Sequence, residues 1–234
     1  MLESLLALVV PPTCLACGTP LAQAGAALCT ACRALMPWLR GPRCSRCALP
    51  APCGRSCPAG RAAFEAAWTP VAYGGPARAL VAALKFRGAS AAADVMAAQM
   101  AATAPPGLLE DATLVAVPAH RARRRERGFN QAERLTRALS RRTGRPAAAC
   151  LKRSGPATRQ LGARRAARLQ PGRIPIRVRG PAPPVVLLVD DVYTTGATLD
   201  ACATALRAVG ARTVKAIAFA RTLDGPPRRL YDDG

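Results

Sequence analysis

Carboxylates are scarce in this chain. Its 234 residues hold 13 Asp and Glu against 34 Lys and Arg, a formal net charge of +21. That balance directs attention to polyanionic partners: nucleic acid, phosphorylated substrates or anionic lipid. Ala and Arg are abundant together, as a GC-rich genome would produce, so charge alone argues weakly. Aromatic residues amount to 4%, a supply that counts against base stacking on single strands. Long apolar runs are missing as well. The stretch from Met1 to Pro12 is apolar but too short for a membrane span, and it lacks the basic start of a signal peptide. It is expected to form a short helix on its own domain, in a cytoplasmic protein.

Cysteine is where the chain is rich. Eight of its ten cysteines fall between Cys14 and Cys57: Cys14 and Cys17, Cys29 and Cys32, Cys44 and Cys47, then Cys53 and Cys57. Each C-x-x-C is a knuckle that offers two thiolates to one tetrahedral ion, so eight thiols imply two structural Zn²⁺ ions. A disulfide framework belongs to exported chains, and redox chemistry uses one such motif rather than four in series. The pairing stays open between sequential sites and an interleaved ribbon joining Cys14 and Cys17 with Cys44 and Cys47. Only five residues separate Cys47 from Cys53, which looks cramped for a hairpin and tips the expectation towards interleaving. Cys150 and Cys202 stand alone in apolar settings, as core residues do.

The later chain is organised around Val185 to Leu199. Five consecutive apolar residues, Val185 to Val189, read as a central strand of a parallel sheet. Asp190 and Asp191 close it, and Thr194, Thr195, Gly196, Ala197 and Thr198 open an Ala/Leu-patterned helix. Ligands of open α/β sheets bind beyond the carboxyl ends of strands. Free N–H groups, threonine hydroxyls and a helix N-terminus make a phosphate cradle there, and two carboxylates can accept from vicinal hydroxyls. No Gly-Lys-Ser/Thr follows, and no G-x-G-x-x-G begins the helix, which excludes the triphosphate P-loop and the dinucleotide fingerprint. The loop suits a sugar phosphate.

Upstream, Ala67 to Tyr73 reads as a strand, Pro76 to Lys85 and Ala91 to Thr103 as helices, and Lys85 and Arg87 as solvated helix-end charges. Thr113 to Pro118 is a second buried strand, ending in an Arg-rich turn and a helix reaching Arg142. His120, the one histidine, sits at that strand end. Ala147 to Arg153 suggests a third strand and Thr213 to Ala220 a last one. Residues 121 to 179 hold nineteen Lys and Arg against Glu126 and Glu133. A loop so long and charged within that span is expected to be a functional lid or disordered.

Taken in order, the knuckles, Arg125 to Gln131, and Asp190 to Thr198, with Leu84 to Gly88 in support, resemble the ComF family of competence-associated proteins. That resemblance implies an α/β fold: a type I phosphoribosyltransferase-like open, mainly parallel sheet behind a small double zinc ribbon. The expected division is 1–60 for the ribbon, 61–222 for the sheet domain and 223–234 for a tail. It further implies that Asp190 and Asp191 hold the ribose of phosphoribosyl pyrophosphate (PRPP) and residues 194–198 its 5′-phosphate. Ala119, His120 and Arg121 match the pyrophosphate loop, and Gln160, Arg164 and Arg165 the mobile loop, with Mg²⁺ travelling with PRPP. Implied partners are PRPP, single-stranded DNA and competence machinery proteins. Thr194 stands where 6-oxopurine salvage relatives place an acid, which argues against that acceptor. Two classes of function remain: a phosphoribosyltransferase, and a non-catalytic DNA-handling or adaptor protein that keeps the pocket.

Overall fold

The structure, a computed structural model, describes residues 12–23, 25–53, 57–153 and 174–223, apart from the side chains of Arg121 and Arg123. A short helix α1 (Thr30–Ala34) lies among the knuckles. Then follow β1 (Ala67–Trp68), β2 (Val71–Ala72), α2 (Gly75–Phe86), α3 (Ser90–Thr103) and β3 (Thr113–Ala116). Next come α4 (Arg121–Arg127), α5 (Gln131–Thr143), β4 (Ala147–Ala148), β5 (Leu151–Arg153) and β6 (Ile176–Val178). The last elements are β7 (Val185–Tyr193), α6 (Ala197–Ala208) and β8 (Thr213–Arg221). The sheet runs β1-β8-β7-β3-β4 with β2 also on β8, and every pair in it is parallel.

Several elements differ from expectation for local reasons. The 67–73 strand is split at Thr69-Pro70, since proline has no N–H for the ladder. The 147–153 run also divides: β4 stays on β3, while β5 leaves the sheet to pair antiparallel with β6. The Arg-rich turn after β3 is in fact α4. Arginine is a good helix former, the His120 ring caps the start, and Gly128 at φ 76 ends it in the left-handed region. The segment from 154 to 173, with Gln160, Arg164 and Arg165, and the tail beyond 223 lie outside the described residues.

The sheet has an apolar layer on each side, and the knuckles reach both. On one face Leu187, Val189, Ile217 and Phe219 pack with α2, α3 and α5, and Cys14, Leu28, Cys32 and Met36 join that cluster. On the other, Val186, Leu188 and Val214 pack with α6, and Cys47, Ala59 and Phe64 join there. The chain segment between the knuckles crosses the sheet edge, where Trp38 bridges to Val71 and the Leu39 N–H donates to Pro70 O at 2.9 Å. The ribbon straddles the sheet.

Candidate functional site

The thiols gather in chain order: Cys14, Cys17, Cys29 and Cys32 in one group, Cys44, Cys47, Cys53 and Cys57 in the other, with the sulfurs of each group within 4.8 Å of one another. This corrects the interleaved expectation. Each knuckle folds back on itself: Thr13 bridges to Pro20 and Arg43 to Pro50, and Ala48, at φ 58, makes the reversal that the short second spacing demands. A tetrahedron with Zn–S bonds of about 2.3 Å spaces its sulfurs about 3.8 Å apart. The Cys17 and Cys29 sulfurs are 3.7 Å apart, and those of Cys44 and Cys57 3.8 Å. Burial opposes the Cys14 thiolate, but N–H groups of Cys29, Cys17 and Ala16 directed at its sulfur prevail and bring its pKa down to about 6. Cys44 also comes down to about 6, its burial outweighed by the Cys53 thiol and the Cys47 and Arg46 N–H groups. Two closed Cys₄ zinc-binding sites result, each with its four positions filled by sulfur.

Strand β7 does not stop at the acids but carries them inside it, running on to Tyr193. Successive strand residues face opposite ways. Asp191, buried at 4% exposure, turns to α2, where its Oδ2 meets Lys85 Nζ at 3.0 Å. Lys85 is therefore an internal counter-ion rather than a solvated helix end. Asp190 turns the other way, within electrostatic reach of Cys202 on α6, and its Oδ1 accepts from the Asp191 N–H at 2.8 Å. Burial and then the Asp191 charge push the Asp190 carboxyl well above the ordinary carboxylate range.

The loop after β7 leads straight into α6. Thr194, Thr195 and Ala197 are exposed, Gly196 and Thr198 half-buried. Thr195 Oγ1 accepts from the Ala197 N–H at 3.4 Å, while the N–H groups of Thr195, Gly196 and Thr198 meet no protein acceptor among the described residues. Gly196 sits at φ 83, and a Cβ there would come within 2.8 Å of the Tyr193 ring. Only glycine fits this turn. A hollow of about 210 Å³ beside the loop is lined by Tyr193, Thr195, Gly196 and Ala197 and, from the ribbon side, by Arg61 and Phe64.

The neighbouring strand end opens onto a basic groove. Val117 N–H donates to Val189 O at 3.0 Å, so the segment Pro118, Ala119, His120 leaves the sheet beside the Asp190 strand. His120 Nδ1 accepts from the Ala122 N–H at 3.3 Å as a helix cap. Two adjoining hollows of about 450 and 460 Å³ open here, sharing Ala119's neighbour Pro118 with Arg124, Asn130 and Lys152. Among the described residues, Arg124, Arg125, Arg137, Lys152, Arg153 and Arg179 line them against a single carboxylate, Glu133. Asn130, buried at 3%, holds the walls together by donating to Val117 O at 3.1 Å and accepting from the Ala132 N–H at 3.1 Å. Of the groove residues, sequence reasoning missed Lys152 and Arg179 as partners of α4, because they come from chain segments whose course the pattern does not reveal.

A double zinc ribbon domain is matched over residues 5–61. DNA utilization protein YhgH of Shigella flexneri is 31% identical, with 92% of this chain and 100% of that protein covered. The protein of the same name from Escherichia coli O157:H7 is 30% identical over the same extent. The chain belongs to the ComF family. This ComF protein joins a mainly parallel α/β sheet to its double ribbon. A hypoxanthine phosphoribosyltransferase from Trypanosoma cruzi, in a ternary substrates complex, is 17% identical, with 60% of this chain and 71% of that one covered at a TM-score of 0.35. That score is too low to argue from. Among the described residues no helix is long and apolar enough to cross a membrane.

Proposed function

We propose that this ComF protein binds PRPP with Mg²⁺ and serves DNA utilization or uptake in the cytoplasm, with phosphoribosyl transfer as its chemistry. The observation that carries the reading is the phosphate loop 194–198. Its unpartnered N–H groups lie at the end of the strand that bears both acids, one strand away from a basic groove. A ribose laid across that strand end would meet Asp190 first, and Asp191 only once Lys85 releases it from the opposite face, with the 5′-phosphate in the loop and the pyrophosphate towards Ala119, His120 and Arg121. Mg²⁺ would be held mainly by substrate oxygens. The groove arginines would take up charge on the departing pyrophosphate, and the acids would favour positive charge developing on the ring. Calorimetry with PRPP and Mg²⁺ tests this. Asp190→Asn with Asp191→Asn should weaken binding by roughly 1.5–3 kcal/mol for each charge-assisted hydrogen bond lost. Equal affinity in both proteins would refute it.

The groove favours a second reading, single-stranded DNA as the polyanion. The name of the YhgH relatives and six basic side chains around one carboxylate support it. Binding should then weaken steeply with salt, by a slope of roughly −0.7 per phosphate neutralised. Arg124→Glu with Lys152→Glu should flatten that slope, and DNA binding that is absent at low salt removes this reading.

A further inference from the structure

One buried guanidinium joins the second cysteine site to the phosphate loop. Arg221, at the end of β8, is 4% exposed. Its Nε donates to Cys47 O at 3.0 Å, and its Nη1 to Tyr193 O at 3.0 Å and to Thr194 O. Nη1 also reaches Thr222 O at 3.0 Å. The guanidinium carbon lies 4.2 Å over the Tyr193 ring, the same ring that Gly196 grazes. Cys47 is a ligand of the second site, so one planar, rigid fork holds the knuckle by a ligand's own carbonyl and the loop by the two carbonyls at its root.

Two further ties run in parallel. Phe64 meets the Tyr193 ring edge-on at 6.2 Å and 84°. The Ala63 N–H donates to Asp200 Oδ1, in the first turn of α6, at 2.7 Å. The 59–64 segment that makes both contacts is itself gripped from within the knuckle. Arg46, between Cys44 and Cys47, donates to Ala59 O at 3.1 Å, Ala62 O at 2.9 Å and Phe64 O at 3.4 Å. Among the described residues the first cysteine site has no hydrogen bond to this loop; Arg87, at the end of α2, donates instead to Leu15 O between Cys14 and Cys17 at 2.7 Å. That site's neighbours are on the opposite face of the sheet, among α2 and α3.

We propose that Arg221 is a positioning residue through which metal loading at Cys44, Cys47, Cys53 and Cys57 sets the phosphate loop for a phosphorylated ribose. The proposal rests on the phosphate-loop reading above for its ligand, though not for the mechanical link. The residues fit the metal, as the sulfur spacings show. With the ion bound, the Cys47 carbonyl is held where Arg221 needs it. With the knuckle open, the guanidinium loses that acceptor, and the carbonyls of Tyr193 and Thr194 lose a fixed partner. Coupling of this kind is reciprocal: whatever factor the metal adds to the affinity for PRPP, PRPP adds to the affinity for the metal, typically about 5- to 150-fold.

Hydrogen exchange on the full chain decides the link, with PRPP calorimetry beside it. Cys44→Ser with Cys47→Ser should speed exchange of the 195–198 amides relative to those of β7 and weaken PRPP by about tenfold or more. Cys14→Ser with Cys17→Ser, which empties the other site, should change neither ratio by more than about twofold, the expectation for an uncoupled site. Should either cysteine variant fail to fold, Arg221→Lys carries the test. It should keep two zinc ions per chain yet loosen the same amides, because lysine cannot bridge three carbonyls as a fork. In wild type, PRPP should slow chelator removal of one zinc only. Loop protection unchanged in Arg221→Lys, or the same loosening from both cysteine pairs, overturns the proposal. If wild type binds no PRPP while the loop still loosens, the function proposed above fails and the coupling stands.

Discussion

Lys85 and Asp191 form an ion pair of 3.0 Å across the gap between α2 and β7, with 20% and 5% of their side chains exposed. The pair anchors the helix before Gly88 to the strand that leads into the phosphate loop. Lys85→Met leaves a buried carboxylate without its counter-ion and should cost about 3 kcal/mol, the lower end for breaking a buried pair. Urea unfolding measures it. Adding Asp191→Asn to the same chain should restore most of the loss, whereas additive losses would mean that the pair contributes nothing as a pair.

Asp190 gives the protein a definite pH dependence. Its folded pKa is raised above the ordinary value of 3.8 by burial and by Asp191. A raised carboxyl binds its proton more tightly in the folded state. The stability it contributes is therefore full below about 3.8 and is lost as pH rises towards the folded pKa. Asp190→Asn removes this decline. The stability of the variant relative to wild type should rise as pH is raised above 3.8, and a difference that stays flat or falls contradicts the assignment. Comparing the two proteins at each pH cancels the pH dependence of zinc binding.

Sequential pairing makes a sharp prediction about zinc content. Cys14→Ser with Cys29→Ser strikes one site only, so purified protein should still hold one zinc ion. In an interleaved ribbon the same substitutions would damage both sites. Metal analysis of that variant, against two zinc ions in wild type, distinguishes the two arrangements.

Gly196→Ala should weaken the phosphate loop without unfolding the sheet. The new methyl meets the Tyr193 ring at 2.8 Å, and the residue is held at φ 83. A strained left-handed position costs about 1–3 kcal/mol. Calorimetry should show PRPP affinity reduced while zinc content stays at two, and an alanine variant that binds as well as wild type would show that the turn tolerates a side chain.

The buried strands and the turn at Gly196 were legible because they are local. An apolar run followed by Asp190, Asp191 and a threonine-glycine turn states its own geometry. Lys85 was not legible as a counter-ion, since its partner lies over a hundred residues away and nothing in the helix pattern points to it. The Arg-rich stretch after Pro118 hid α4 for a different reason. Seven residues with no apolar stripe give no helical periodicity, and only the His120 cap and Gly128 mark its ends. Arg221 stood just past the expected last strand, Thr213 to Ala220, with nothing to mark a role. Its burial depends on a knuckle carbonyl from the far end of the chain, which no short-range signal announces.

The place of β8 has a consequence for how the protein comes into being on the ribosome. This strand lies between β7 and the pair β1 and β2, yet it is made last. Until residue 213 emerges, β1 and β2 have no ladder to join and β7 has one open flank, although both knuckles can already hold zinc. Loop closure over so many residues is slow, and unpaired strand edges recruit one another between chains. A newly made chain stalled or cut short of Thr213 would thus be a metal-loaded but sticky fragment, and its completion hinges on the nine residues of β8.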